Sequence, residues 1–371
     1  MKTKAAVLHG PGTDWEITEL DLDPPREGEV LIRFEVAGLC HSDQHVQTGD
    51  IAPRFPLVGG HEGAGVIEEV GPNVTRVRPG DHVVCAFIPA CGHCRFCSTG
   101  HQNLCDMGAN AITGVLPAGG FRLHRDGEDY GGFAILGTFA QWGTVSEKSV
   151  VPIAKDIPLE MAALVSCGVP TGWGSAVYAA RVAPGDTVVV YGVGGIGINA
   201  VQGARYAGAK NVVAVDPVAF KREKAEELGA THSAGSADEA FRLVWEGLAP
   251  GVGADHAIVT AGVVLEDLVE SAFNMVRKGG QVTITGLAHQ DRKTVQVPGS
   301  VLTLFEKRIV GSLFGSSNPV HDIPRLLDLY RTGHVKLEEL ITRRYRLDDI
   351  NEGYRDMLAG RNIRGVIVHE H

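Results

Sequence analysis

A chain of 371 residues exceeds what one hydrophobic core usually supports, so two domains are expected, each large enough to fold without disulfide staples. The formal charge of -10, from 34 basic and 44 acidic residues, argues against a nucleic-acid-binding surface. No apolar run long enough for a membrane span occurs, so no membrane partner is expected either.

Met1 is followed by Lys2, Thr3 and Lys4 with no apolar signal core, which predicts a reducing, cytoplasmic setting. From Met1 to about Gly168 the sequence runs in short alternating stretches such as VLIRFEVAG and AGVIEEVG, separated by turns such as VRPGDHVV; these are predicted strands. Within this part lie Cys40 in AGLCHSDQH and His61 in GGHEGAG, with Cys167 at its end in SCGVPTG. Two thiolates and an imidazole are a known catalytic zinc set that leaves one position open. Spacing alone does not join residues 40, 61 and 167, and taken singly each reads more readily as a packed core residue than as a ligand.

The next feature is denser. Cys91, Cys94, Cys97 and Cys105 fall within fifteen residues as CxxCxxCxxxxxxxC. Two-residue gaps turn successive sulfurs inward and the longer return supplies a fourth corner, which predicts a closed, structural zinc site. Two disulfides would use the same thiols but need an oxidising compartment. The seventh cysteine, Cys85, fits neither set and reads as a core thiol.

Residues 187–207, TVVVYGVGGIGINAVQGARYA, pass from a β-branched run through glycines into a helical pattern. Gly192, Gly194 and Gly197 form GxGxxG, with Gly195 and Ile196 inside it. The motif is weak by itself, but between strand and helix it predicts a turn whose backbone approaches a pyrophosphate at a helix N-terminus. A second strand, NVVAVD, ends in Asp216, nineteen residues beyond Gly197, near the distance of about 20 for an acid that receives ribose hydroxyls. That acid favours NAD over NADP, although Lys221 and Arg222 follow a turn later. Strands TVVVYG, NVVAVD, HAIVTA and QVTITG alternate with helical FKREKAEELGA and LEDLVESAFNMVRKG, the pattern of a doubly wound parallel sheet over residues 169–311. Helical IPRLLDLYRTG and DDINEGYRDMLAG and a last strand, RGVIVH, complete the chain.

Taken in order, GLCHSD, GHEGAG, the four-cysteine lobe, SCGVPTG, VYGVGGIG, Asp216 and IRGVIV resemble the zinc-dependent alcohol dehydrogenases of the medium-chain dehydrogenase/reductase superfamily, essentially end to end. The resemblance implies an α/β protein with a GroES-like, partly barrel-like catalytic domain over 1–168, a Rossmann NAD-binding domain over 169–311, and a return to the catalytic domain over 312–371. It also implies two zinc ions per chain: a catalytic one on Cys40, His61 and Cys167 with Glu62 behind it as an occasional ligand, and a structural one on Cys91, Cys94, Cys97 and Cys105.

Further roles come with the resemblance. Ser42 and His45 would relay the alcohol proton outward, His45 as a base at the surface; a plainer reading makes Ser42 a turn residue and His45 a solvated side chain. Asp43 would orient His61. His41 and Arg364 would contact the pyrophosphate, Lys221 the ribose, and Thr171 and Ile196 the nicotinamide, while Phe87 would line the substrate pocket. His41 stands where the horse-liver-type pattern has arginine, which bears on cofactor release.

The implied activity is hydride transfer between a primary alcohol and NAD, with zinc as Lewis acid. The segment Met107–Gly137 is similar to the substrate loop of longer, dimeric members, so a homodimer is expected, a tetramer being the alternative. A thiol-dependent formaldehyde dehydrogenase is a second enzyme reading; that branch usually has tyrosine at the place of His45 and arginine near Ala109. A non-catalytic zinc ribbon is a third, disfavoured by the acidic balance. The stretch HRDGEDYGGFAILGTFAQ resembles the actinobacterial nicotinoprotein branch, whose members keep NAD bound and are assayed with nitroso-aniline acceptors.

Overall fold

The computed structural model describes residues 1–288 and 294–371. The chain divides into two compact units, Met1–Cys167 with Asn318–His371, and Gly168–Ser317. The second unit extends to Ser317 because the turn Phe314–Ser316 is tied down inside it: the Ser317 hydroxyl donates to the Pro170 carbonyl at 3.2 Å.

The first unit combines a small closed barrel with an open sheet. Strands Lys2–Leu8, Glu16–Leu22, Leu123–Arg125, Glu128–Gly132 and Leu57–Val58 close the barrel in that order. The sheet centres on Glu29–Gly38, paired antiparallel to Gly63–Val70 on one side and to Arg364–Val368 on the other. Its sequence EVLIRFEVAG is buried on both faces for most of its length, which explains the near-continuous apolar run. Register then decides what meets at its end. Ala37 lies opposite Gly63 and Gly38 opposite Val366, so Cys40, His61, Glu62 and Arg364 arrive at one corner.

The second unit is a six-stranded parallel sheet. In space the strands run His232–Ala234, Asn211–Val215, Thr187–Tyr191, Ala254–Val259, Val276–Ile284, Arg308–Gly311, which is third, second, first, fourth, fifth, sixth in chain order. This is the order of a Rossmann sheet, with its crevice beside the first strand, where the order reverses. TVVVY and NVVAV are wholly buried, as central parallel strands must be. The expected helix over LEDLVESAFNMVRKG stops at Met275; Val276 already pairs with Ala254 in the sheet, and Gly279, at φ +70°, cannot favourably continue a helix. Strands His232–Ala234 and Arg308–Gly311 were not expected, being only three and four residues long, too short to give an alternating pattern.

Candidate active site

Cys40, His61, Glu62 and Cys167 each present a ligand atom within 4.8 Å of the others, all four side chains buried. Cys40 occupies the N-cap of helix His41–Thr48, which is why a strand-end residue turns its sulfur inward. The Cys40 thiol is held well below its usual range by a hydrogen bond from Cys167, with the charges of His61 and Arg364 acting the same way against burial; Cys167 is pushed up correspondingly. Two sulfurs and a nitrogen this close, drawn from three distant segments, match the donor set of a zinc site with an open position.

The supporting groups are specific. Asp43 Oδ1 accepts the Gly60 amide at 2.9 Å, while Oδ2 lies 3.0 Å from His61 Nδ1, at ion-pair distance though off hydrogen-bond alignment. With Nδ1 turned to the carboxylate, Nε2 is left for a metal. Burial works against an imidazolium at His61, but Asp43 and Cys40 outweigh it and raise its pKa; burial likewise raises Asp43. Glu62 is fully buried, and its Oε2 contacts the Arg364 guanidinium while Oε1 has no hydrogen-bond partner among the described residues. Burial pushes the Glu62 carboxyl up against the opposing pull of Arg364. A buried acid with one bound and one vacant oxygen suits both an ion-pair role and occasional ligation.

The four-cysteine lobe fits zinc quantitatively. Sulfurs at about 2.3 Å from a tetrahedral ion lie about 3.8 Å apart; Cys91 and Cys97 are 3.8 Å apart, Cys94 and Cys105 4.0 Å. Backbone amides point at the sulfurs, Cys94 N to Cys91 at 3.4 Å, Cys97 N to Cys94 at 3.4 Å and Cys91 N to Cys105 at 3.5 Å, which favours thiolates. The Cys97 and Asp106 amides bring Cys94 down to about 6. His93 and His101 are exposed, apart from the four sulfurs. Cys85 is buried in the apolar core, where desolvation pushes its thiol up to about 12.

In the second unit the glycine turn has the shape a dinucleotide needs. Gly192 sits at φ +85°, and a Cβ on Gly197 would come within 1.9 Å of the Gly192 carbonyl, while one on Gly194 would meet open space. The middle glycine therefore leaves room for a group to approach the backbone at the start of helix Gly197–Tyr206. Asp216 is buried at the end of its strand, accepting from Val193 N at 3.1 Å and Val218 N at 2.9 Å. An ionised carboxylate retains further lone pairs for hydroxyls. Arg222 donates to the Asp216 carbonyl at 2.7 Å, and Lys221 is half-buried on the same helix, Ala219–Glu227. Thr171 is buried, its hydroxyl without a hydrogen-bond partner among the described residues, and Gly195 and Ile196 are partly exposed in the glycine turn.

His45 requires a correction. It is not at the surface but 2% exposed, its Nδ1 2.8 Å from Asp50 Oδ2, because helix His41–Thr48 turns that face inward. Its ring meets His41 edge-on at 5.6 Å, His41 itself being half-buried. Ser42 Oγ lies 3.7 Å from Cys40 Sγ. Phe87 packs edge-on to His61 with centroids 5.7 Å apart. The sequence reading missed Phe133, at 5.3 Å on the same imidazole, and the Tyr354 hydroxyl, buried without a hydrogen-bond partner among the described residues; Phe133 lies within the stretch HRDGEDYGGFAILGTFAQ, but nothing in that stretch marks it as a neighbour of His61, and Tyr354 lies far from every ligand motif in sequence.

A buried thiolate–imidazole cluster and a glycine-lined nucleotide cradle in one chain define the class, a metal-dependent dehydrogenase. A family profile described as the alcohol dehydrogenase GroES-like domain matches residues 26–155, and one described as zinc-binding dehydrogenase matches residues 195–332. The chain is 63% identical over 369 residues to the NDMA-dependent alcohol dehydrogenase of Amycolatopsis methanolica, covering 100% of this chain and 99% of that one. Solved structures agree: benzyl alcohol dehydrogenase from Acinetobacter calcoaceticus superposes with a TM-score of 0.91 at 30% identity, and an alcohol dehydrogenase zinc-binding domain protein from Burkholderia ambifaria with 0.92 at 31%, each covering 100% of both chains. The S-(hydroxymethyl)glutathione dehydrogenase of a Synechocystis strain stands further off, at 36% identity over 373 residues, covering 99% of this chain and 100% of that one. The chain belongs to the zinc-dependent alcohol dehydrogenases of the medium-chain dehydrogenase/reductase superfamily. It is an alcohol oxidoreductase that uses zinc and a nicotinamide cofactor.

Proposed function

We propose that the protein interconverts primary alcohols and aldehydes with NAD as hydride carrier, in the manner of a nicotinoprotein that keeps NAD bound and hands its electrons to an external acceptor. The observation that carries the catalytic half is the cluster of Cys40, His61, Glu62 and Cys167. When bound there, zinc supplies a Lewis acid that lowers the pKa of an alcohol hydroxyl. NAD, when bound, accepts the hydride. The chain's own residues do the rest. Cys40, His61 and Cys167 hold the ion and leave one place open, and Asp43 fixes the imidazole. Phe87 and Phe133 wall the site with apolar surface. Ser42 takes the hydroxyl proton and His45, steadied by Asp50, receives it further along; its burial makes it an internal station rather than a surface base. Asp216 selects NAD, with Thr171, Ile196, Lys221, His41 and Arg364 as further cofactor contacts. A second zinc on the cysteine lobe is structural.

Similarity to the NDMA-dependent enzyme supports retained NAD, and it weighs against the thiol-dependent formaldehyde reading, as do His45 and Ala109 at the places where that branch usually has tyrosine and arginine. A homodimer fits the outer strand Arg308–Gly311, which among the described residues has a sheet partner on one side only and is exposed or half-buried throughout. A cytoplasmic location fits seven cysteines of which six sit in two clusters with metal-ligand geometry rather than in disulfides, and no helix among the described residues is long and apolar enough to cross a membrane.

The test is the absorbance of freshly purified protein before and after adding alcohol without NAD. A reduced-nicotinamide band that appears, then vanishes with a nitroso-aniline acceptor, is the expected result. A band that needs added NAD would make this an ordinary exchanging dehydrogenase. Replacing Asp216 by Ala should shift the NAD to NADP preference by about tenfold or more, since it removes charge-assisted bonds and a repulsion against the 2'-phosphate beside Lys221 and Arg222.

A further inference from the structure

Within the second unit, at the ends of the parallel strands opposite the glycine turn, lies a cavity of about 790 Å³ that no catalytic or cofactor role uses. It is bounded by Val276 and Arg277 at the start of one strand, by Lys307 just before another, and by helices Ala237–Arg242, Glu266–Met275 and Gly299–Leu304. The volume lies in the range of small-molecule sites.

Its chemistry is two-sided. Phe241 and Trp245 stack with ring centroids 5.5 Å apart and planes 19° from parallel, and Phe305 adds a third ring. The charged groups of the lining are Arg277, Lys278 and Lys307 against a single acid, Asp238. Arg277 is neutralised by Asp255 at 2.6 Å. The two lysines have no carboxylate partner among the described residues. Lys278 sits over the Phe305 ring at 4.8 Å, and Lys307, only 8% exposed, has the Phe273 carbonyl at 2.7 Å and the Phe273 ring at 4.7 Å. A nearly buried ammonium with one carbonyl acceptor leaves donors unsatisfied, and burial lowers the Lys307 pKa accordingly. In a chain of net charge -10 this local positive excess runs against the overall field.

We propose that this cavity is a binding site for a small aromatic carboxylate, its ring against Phe241 and Trp245 and its carboxylate received by Lys278 and Lys307. The ring side supplies flat apolar surface and the lysine side a charge that lacks a partner. Neither half serves hydride transfer.

The experiment is calorimetric titration of the holoenzyme with benzoate, benzamide and inorganic phosphate, repeated on Lys278→Gln, Lys307→Met and Trp245→Phe. Benzoate should bind about threefold to tenfold more tightly than benzamide or phosphate, and Lys278→Gln should remove that margin while leaving alcohol turnover unchanged. Trp245→Phe should weaken benzoate and benzamide alike. Benzamide equal to benzoate would overturn the charge half, and phosphate equal to benzoate the aromatic half. Benzoate affinity unchanged in all three variants would place the ligand elsewhere, on the zinc cluster for instance, and overturn the site. Lys278 is exposed, so its replacement keeps the test valid even if Lys307→Met folds poorly.

Discussion

The two cysteine clusters use the same element of chemistry and are built in opposite ways. Cys91, Cys94, Cys97 and Cys105 come from one short segment with little secondary structure, and their geometry is set by local turns and by amides aimed at sulfur. Cys40, His61 and Cys167 come from a strand end, a strand start and a helix end: the register of Glu29–Gly38 against Gly63–Val70 brings Cys40 to His61, and the Gly63 amide, donating to the Ser166 hydroxyl at 3.1 Å, ties the segment that carries Cys167 to the same corner. A local cluster has little to hold it in shape without its ion. The assembled cluster sits in a framework that the surrounding sheet already determines, so the two sites should respond differently to the same kind of damage.

The largest difference is expected in turnover. Cys40→Ala or Cys167→Ala breaks the open donor set inside a sheet that stays paired, so alcohol oxidation should fall by about a thousandfold or more while the melting temperature changes little. Full activity in either variant would remove the cluster from catalysis. Cys97→Ser or Cys105→Ser should do the reverse if the lobe holds the structural zinc proposed for it, since folding free energy is then bound into the metal: stability should fall by about 3 kcal/mol or more and the lobe should become protease-sensitive. Normal melting together with lost turnover would exchange the two assignments.

Acid should also separate them. His369 Nε2 is 3.0 Å from the Thr138 carbonyl, and Thr138 in turn donates its hydroxyl to the Glu62 carbonyl at 2.7 Å, so this imidazole supports the backbone of the assembled cluster. Burial first, with the His371 charge adding, brings its pKa down to about 4. The unfolded state therefore binds the extra proton between about pH 6.5 and 4 and the folded state does not. Stability from this residue is fully present above about pH 6.5 and is lost as pH falls toward 4, by about 3 kcal/mol in all. Urea titrations across that window should show the slope, and His369→Gln should flatten it. An equal slope in the variant would assign the acid sensitivity to other groups.

Locality also explains what the sequence disclosed. The lobe, the glycine turn and Asp216 were legible because each packs its chemistry into one stretch with a physical period or spacing. Cys40, His61 and Cys167 could be joined only through family resemblance, since strand register is a tertiary property that no spacing encodes. The Arg364–Glu62 contact spans 302 positions, and the closeness of Phe133 to His61 is likewise set by the fold. The inward face of helix His41–Thr48 was misread because HSDQHVQT has a single apolar residue, Val46, and so no apolar stripe; the burial of His45 comes from what packs around the helix.

The smallest expected effects lie one contact beyond the ligands, and they compare the clusters most closely. Asp43 steadies His61 from a buried position, and Arg76 holds a corresponding place near the lobe: it donates to the Ala90 carbonyl at 3.0 Å beside Cys91, and its charge lies close enough to Cys91 and Cys97 to interact with both. Asp43→Asn keeps the shape but removes the charge facing the imidazole, so zinc affinity at the assembled cluster should drop by about 10- to 100-fold with the lobe unaffected. Arg76→Gln removes the nearby cation from a site that carries four thiolates, so chelator-driven zinc release from the lobe should quicken by a smaller factor, about threefold to tenfold, with the assembled cluster unaffected. Release measured with a colorimetric chelator should resolve two phases per chain, and each variant should accelerate a different one. If Asp43→Asn speeds both phases, the assembled site is less independent of the lobe than its sheet framework implies, and the contrast in how the two clusters are built would not carry over to how they hold their metal.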